Sequence, residues 1–455
     1  MNNLAIIDSI KKNHKITALL TLIFITLLFI DSYTSSISDV AGDFIKTTFG
    51  IALFMSITIV SLFASYLAIT KILGILEQRK SLISRYRKIF RLIQAILFSL
   101  SAFLLLDILI QNKFSTTNLI VIMILSYGSS VIMSLFFCIK LFSWFKDNKN
   151  KFSILFGSAI FFIFINNLVS IFLFTILLSE KPVQINYSTP IIFNFECSED
   201  TFYCFIKENV INIQSYTVIA YYSLFWICNY FLLHYHIQKI GRVRFYTLVT
   251  LPLFLYFFVF GYNYDVLYSL NEGLKIDEGI IFAFQIFIVI LAGALCGVLY
   301  GMGFRSIANL LKMSPSIERY LKTASYGIIL FFITAGATLV GTSIPPYGMA
   351  SIIFLPFSLI LFYVGIYYSI IAVSNDISIR KYIKNSTYNE LKIMGNLAQS
   401  QMVDNMKEKV LGMTKKYSEE IHQKSNSESM ETEEDLRSYL DEAIRIFNKG
   451  NKNKT

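Results

Sequence analysis

The residues able to do chemistry in this chain are few, and most sit in apolar surroundings. Asp107 lies inside an apolar run, about one helical turn from its end. A carboxylate in hydrocarbon is costly, so an acid there is a candidate functional group by default; the bland alternative is that it reaches the interface or caps a neighbour. Asn166 and Asn167 stand mid-run, as does Gln285. Amides at such depth either hydrogen-bond across helices as packing glue or line a polar path. These four residues make up a candidate intramembrane polar site. Asp39 and Asp43 share a loop with Asp31. An i, i+4 acidic pair can hold a metal or an acceptor, as a lipid-linked-sugar glycosyltransferase would require, and it is also an ordinary solvated loop. His234 and His236 are two residues apart, roughly 200° around a helix, so they cannot chelate one metal together. No phosphate loop, serine elbow or zinc-protease signature occurs in the sequence. No catalytic residue, metal site or cofactor is assigned.

The elements that must position these residues are apolar runs. The chain has 455 residues, 55% of them hydrophobic and 15% charged, with a mean hydropathy of +0.58. About 20 apolar residues at 1.5 Å each cross the hydrocarbon. The backbone must satisfy its own hydrogen bonds there. Ten runs fit a helical reading: residues 16–30, 48–75, 89–110, 119–139, 152–178, 217–237, 245–262, 279–302, 324–340 and 349–373. The first is short, follows Lys11, Lys12 and Lys15, and reads as a retained helix or a cleaved signal peptide. Charge tests the count. With the N-terminus inside, the inner loops hold 20 Lys and Arg and the outer loops 5. That alternation is the positive-inside pattern. It predicts a cell-membrane protein with both termini cytoplasmic. The net charge of +10 is thereby explained without nucleic acid.

Three glycines, Gly293, Gly297 and Gly301, share one face of the eighth run and predict a close helix packing seam. Ala337 and Gly341 are the expected matching face. Pro252 and Pro356 fall within runs and remove a backbone hydrogen bond each. The longest outer loop, 179–216, carries Cys197 and Cys204, a possible disulfide in an oxidising exterior, and the sequon Asn186-Tyr187-Ser188. Cys138, Cys228 and Cys296 lie in apolar runs and read as small hydrophobes.

Residues 374–455 are different material. Leu391, Met394, Ala398, Met402, Met406, Val410, Met413, Tyr417 and Ile421 recur at helical spacing. A second amphipathic segment, with Leu436, Leu440 and Phe447, follows a polar linker. Such faces suit a protein partner, or an anionic leaflet met by Lys381, Lys384, Lys407 and Lys409.

The segments Ser343-Ile-Pro-Pro-Tyr-Gly-Met-Ala350 and Val373-Ser-Asn-Asp-Ile-Ser-Ile-Arg380 resemble parts of uncharacterised multi-pass membrane proteins of archaea. The resemblance covers the last two runs and the start of the polar segment. It implies a lineage and no activity.

The expectation is therefore an all-α polytopic bundle of about ten spans over residues 1–373, with a helical cytoplasmic tail over 374–455. Its partner is the lipid bilayer. The leading functional reading is non-enzymatic sensing, signal transmission or assembly through the tail. The alternatives are a secondary transporter of a small solute and a lipid-linked-sugar glycosyltransferase.

Overall fold

The helix that organises the fold is apolar on every side, the pattern of an element surrounded by protein or lipid rather than of one facing water. It spans Met349–Asn375, and 23 of its 27 residues are buried. The computed structural model describes residues 22–35, 47–77, 82–111, 116–148, 151–180, 202–234, 237–261, 278–311, 315–336, 348–385 and 389–425. In chain order the helices are α1 (Leu22–Ser35), α2 (Thr48–Glu77), α3 (Leu82–Gln111), α4 (Thr116–Asn148), α5 (Lys151–Glu180), α6 (Phe202–Leu233), α7 (Arg242–Gly261), α8 (Glu278–Leu310), α9 (Pro315–Thr334) and α10 (Met349–Asn375). Two more follow, α11 (Ile377–Asn385) and α12 (Asn389–Ser425). A four-residue helical turn, Ile237–Ile240, precedes α7.

Each expected run overlaps one of α1–α10, with residues 16–21 and 337–340 outside the described ones. Among the described residues, six helices are long and apolar enough to cross a membrane, and the apolar parts of α1 and α2 are shorter. No strand occurs among the described residues. The molecule is an α-helical membrane bundle. Its perimeter carries large exposed apolar side chains such as Phe63, Leu109, Ile110 and Phe172, the surface that lipid tails cover. Both Pro252 and Pro356 are accommodated inside continuous helices.

Around α10 stand α9, α4, α2 and α12, while α8 bridges α9 to α6 and α7, and α5 joins α4 to α6. Small buried residues, Ser351, Ser358 and Gly365, recur every seven positions along α10, letting neighbouring backbones come close. The tightest approach is to α9. A Cβ added at Gly365 would lie 2.4 Å from the backbone N of Ala324, and one at Gly327 would lie 2.4 Å from the backbone N of Phe362. Bare backbone therefore meets backbone on both sides of this crossing.

The three glycines of α8 each have a close neighbour on a described helix. A Cβ at Gly297 would meet Phe332, one at Gly301 would meet Ile329 and Ser325, and one at Gly293 would meet the Tyr222 hydroxyl. The partner surface thus lies on α9 before Thr334, and on α6. Ala337 and Gly341 lie outside the described residues.

Five phenylalanines fill the core where α4, α5, α6, α8 and α10 meet: Phe137, Phe156, Phe225, Phe304 and Phe362. Their rings stand edge-on or tilted, with Phe362 5.5 Å from Phe137, 5.6 Å from Phe156 and 5.5 Å from Phe304. Offset and edge-on geometries are those that aromatic quadrupoles favour.

Candidate functional site

The two ends of α10 hold the most connected polar groups. At its start, Gly348 is the N-cap, in the left-handed region with φ 89°, a conformation glycine adopts without a Cβ penalty. The first N–H groups of any helix lack intrahelical partners. Here they are satisfied from the far end of the sequence. The Asp31 carboxylate on α1 accepts the Gly348 N–H at 3.0 Å, the Ser351 N–H at 2.9 Å and the Ser351 hydroxyl at 2.9 Å. Asp31 is fully buried. A buried anion is tolerable only when paired or hydrogen-bonded, and the helix N-terminus supplies both donors and a favourable dipole. Ser32 Oγ lies 3.1 Å from Ile333 O of α9 and 3.1 Å from Ser351 Oγ. Ser126 Oγ of α4 donates to Ile352 O. One carboxylate and three hydroxyls thus tie α1, α4, α9 and α10 together. Reading Asp31 as a loop residue beside Asp39 and Asp43 is corrected by this structure, since α1 continues to Ser35. Asp39 and Asp43 themselves lie outside the described residues.

At the other end of α10, α12 folds back against the bundle. Leu391, Met394, Leu397 and Ala398 are buried. Beside them Trp144 Nε1 of α4 donates to Gln401 Oε1 at 3.1 Å, and Ser400 Oγ donates to Trp144 O at 3.0 Å. Lys140 Nζ lies 2.6 Å from Asp404 Oδ2. The Trp144 and Tyr367 rings stack, joining α4 to α10 at this level. Arg380 contacts Met402. Between α10 and α12, Asp376 caps α11 by accepting the Ile379 N–H at 3.1 Å and the Ser378 hydroxyl at 2.6 Å. Those bonds favour the ionised form and hold its carboxyl below the usual range, the Ser378 contact most. Farther along α12 the expected stripe continues but the bundle does not. Met406 is 52% exposed and Met413 54%.

Among the described residues, Asp107 is not brought together with Asn166 and Asn167. Asn166 Oδ1 accepts the Thr217 hydroxyl at 3.1 Å, and Gln214 Nε2 donates to Ser170 Oγ at 3.1 Å. These are cross-helix bonds between α5 and α6, the packing role. Asn167 is buried with its Nδ2 unpartnered among the described residues. Asp107 is partly exposed on α3, which packs on α2 and α4 rather than in the α5–α6 seam. Gln285 lies on α8, and its side chain is outside the described set, as are Cys197, Asn186 and the Cys204 side chain. Cys138, Cys228 and Cys296 are buried and free. His234 is exposed at the end of α6. Among the described residues no three or more His, Cys, Asp or Glu side chains gather as metal ligands.

Sequence reasoning also passed over Asn229. It is 2% exposed, and both its Oδ1 and Nδ2 lack partners among the described residues. Its amide faces Gly303 of α8, where a Cβ would come within 2.9 Å of Oδ1. The signal was an Asn in an apolar run, on the same terms as Asn166.

Comparison with known protein families, with curated proteins and with solved structures finds no match for this chain.

Proposed function

We propose that this membrane protein transmits a conformational signal through α10, from the Asp31 cap at one end to α12 at the other, without catalysing a reaction. In this reading ten helices cross the bilayer, both termini are cytoplasmic, and α12 is the output that partners or the inner leaflet detect. The observation that carries it is that one buried helix is capped by Asp31 at one end and, at the other, packs on α12 and stacks Tyr367 on Trp144, the residue of α4 that bonds Gln401 of α12. Close-packed helices shift between discrete arrangements rather than deforming continuously. A change at the cap is therefore relayed along α10 to the surface where α12 sits.

The test uses full-length protein in lipid nanodiscs, spin-labelled at Lys146→Cys and Lys409→Cys in a background without native cysteines. Asp31→Asn should shift or broaden the distance distribution between α4 and α12. Superimposable distributions would remove the transmission reading.

A second reading, transport of a small polar solute, draws on buried amide atoms without partners among the described residues, Nδ2 of Asn167 and both Oδ1 and Nδ2 of Asn229. Solute flux into liposomes that is lost in Asn167→Leu and Asn229→Leu supports it. Equal flux in wild type and both variants counts against it.

A further inference from the structure

We infer that the first half of α12 is a releasable cover over the end of the bundle, and that the Lys140–Asp404 pair is its catch. Met394 and Leu397 stand over a small cavity of about 10 Å³, whose other walls include Leu141, Phe152, Leu232 and Ile307. The phenylalanine cluster lies behind it through Phe156 and Phe304. With α12 seated, this apolar floor is shut off from water. With α12 lifted, both the floor and the buried face of α12 are uncovered together.

Three observations make the cover releasable rather than fixed. Its apolar contact is incomplete, because a void remains beneath Met394 and Leu397; side chains lining a void lack partner atoms on that side. Its edge is fastened by polar groups. The Lys140 and Asp404 side chains are 23% and 18% exposed, so water and salt reach the catch and weaken it. The Trp144 Nε1–Gln401 bond and the Ser400 bond to Trp144 O sit next to it on the same turns, so opening the catch exposes both to competition from water. Finally, α12 is joined to α10 through the nine-residue α11, held to the bundle side by buried Ile379 and Ile383. Ile383 lies against Gly395, where a Cβ would come within 2.8 Å, so the inner end of the cover is pinned and the Asp404 end swings only once the catch opens.

This deepens the reading of α12 as the output of transmission and rests on it for its purpose. The catch is tested separately from the coupling. Hydrogen exchange by mass spectrometry is measured on the full-length protein in nanodiscs, following peptides from residues 391–404 and, as a folding control, from α8–α10. Lys140→Glu should raise exchange over 391–404 about ten-fold, the scale of a half-buried charge pair. The control peptides should not change, and the charge-reversed pair Lys140→Glu with Asp404→Lys should restore protection. Raising the ionic strength on wild type should speed exchange in the same peptides. The inference is overturned if 391–404 stays fully protected in Lys140→Glu, if protection falls in step with α8–α10, or if the reversed pair does not restore it. Asp31→Asn, read in the same experiment, reports on the coupling alone. Loss of coupling with an intact catch removes the transmission reading and leaves the cover standing.

Discussion

Replacing Gly365 by Ala tests the close crossing of α9 and α10 most directly. The added Cβ would lie 2.4 Å from Ala324 N, 2.6 Å from Tyr320 O and 2.7 Å from Ala324 Cα. All three are backbone atoms, so no side-chain rotation relieves the clash. Restoring ordinary contact near 3.4 Å requires the two backbones to part by about 1 Å, and a gap of that size forfeits a quarter to a half of each dispersion contact along the seam. Overpacking in a dense core costs about 1–3 kcal/mol, and a backbone-only clash belongs at the upper end. The Gly→Ala gain in helix propensity returns about 1 kcal/mol. The net loss is about 2 kcal/mol. The control is Gly128→Ala on α4, where a Cβ meets nothing within 4 Å and only the propensity gain remains. Equilibrium unfolding in mixed micelles measures both. Gly327→Ala should cost a similar amount, because it forces apart the same pair of backbones. The double variant should cost less than the sum of the two, since the first separation makes room for the second. If Gly365→Ala matched wild type within about 0.5 kcal/mol, the change expected of an uncrowded site, the backbone-on-backbone crossing would be refuted.

Asp31→Ala leaves the Gly348 and Ser351 amides facing apolar surroundings and should cost about 3 kcal/mol, read by the same unfolding assay; Asp31→Asn keeps one acceptor and should cost less. Asp376 is held below the usual carboxylate range by the Ser378 hydroxyl and the Ile379 N–H. Its stabilisation of α11 is therefore present above a pH of about 3.9, the unfolded value, and is lost as pH falls through the lower folded value. Amide protection factors in α11, with intrinsic exchange at each pH divided out, should fall on acidification in wild type and lose that pH dependence in Asp376→Ala. Asn229→Leu removes two buried amide atoms that lack partners among the described residues and should stabilise the bundle by about 1–3 kcal/mol; a less stable variant would mean that the amide is satisfied in the membrane.

The apolar runs were legible because hydrocarbon imposes a length and forbids charge, so 349–373 could be marked as a helix from composition alone. That it stands at the centre was not legible. A helix that is apolar all round shows the same pattern whether it faces protein or lipid, and only the seven-residue spacing of Ser351, Ser358 and Gly365 hinted at neighbours. The seam of Gly293, Gly297 and Gly301 announced close packing, yet the surface it meets, around Ile329 and Phe332, has no matching small-residue pattern because side chains fill the notch instead. Asp31 carried no local signal at all. Its partners are 317 and 320 positions away, and a carboxylate at the end of an apolar run looks the same whether it meets water or a helix terminus. The tail stripe was right through Ala398 and then outran its support, since Met406 and Met413 lie beyond the surface that buries Leu391 and Met394.

The Asp31 cap also sets an order of events during synthesis. Its carboxylate leaves the ribosome more than three hundred residues before the amides it accepts are made. At the 5–20 residues per second typical of translation, tens of seconds separate the two. Through that interval the Asp31 carboxyl lacks the amide donors of α10, while α2 to α9 are made. The cap therefore closes only once α10 has arrived. A nascent chain stalled before Gly348 leaves the Asp31 carboxylate without these amide donors.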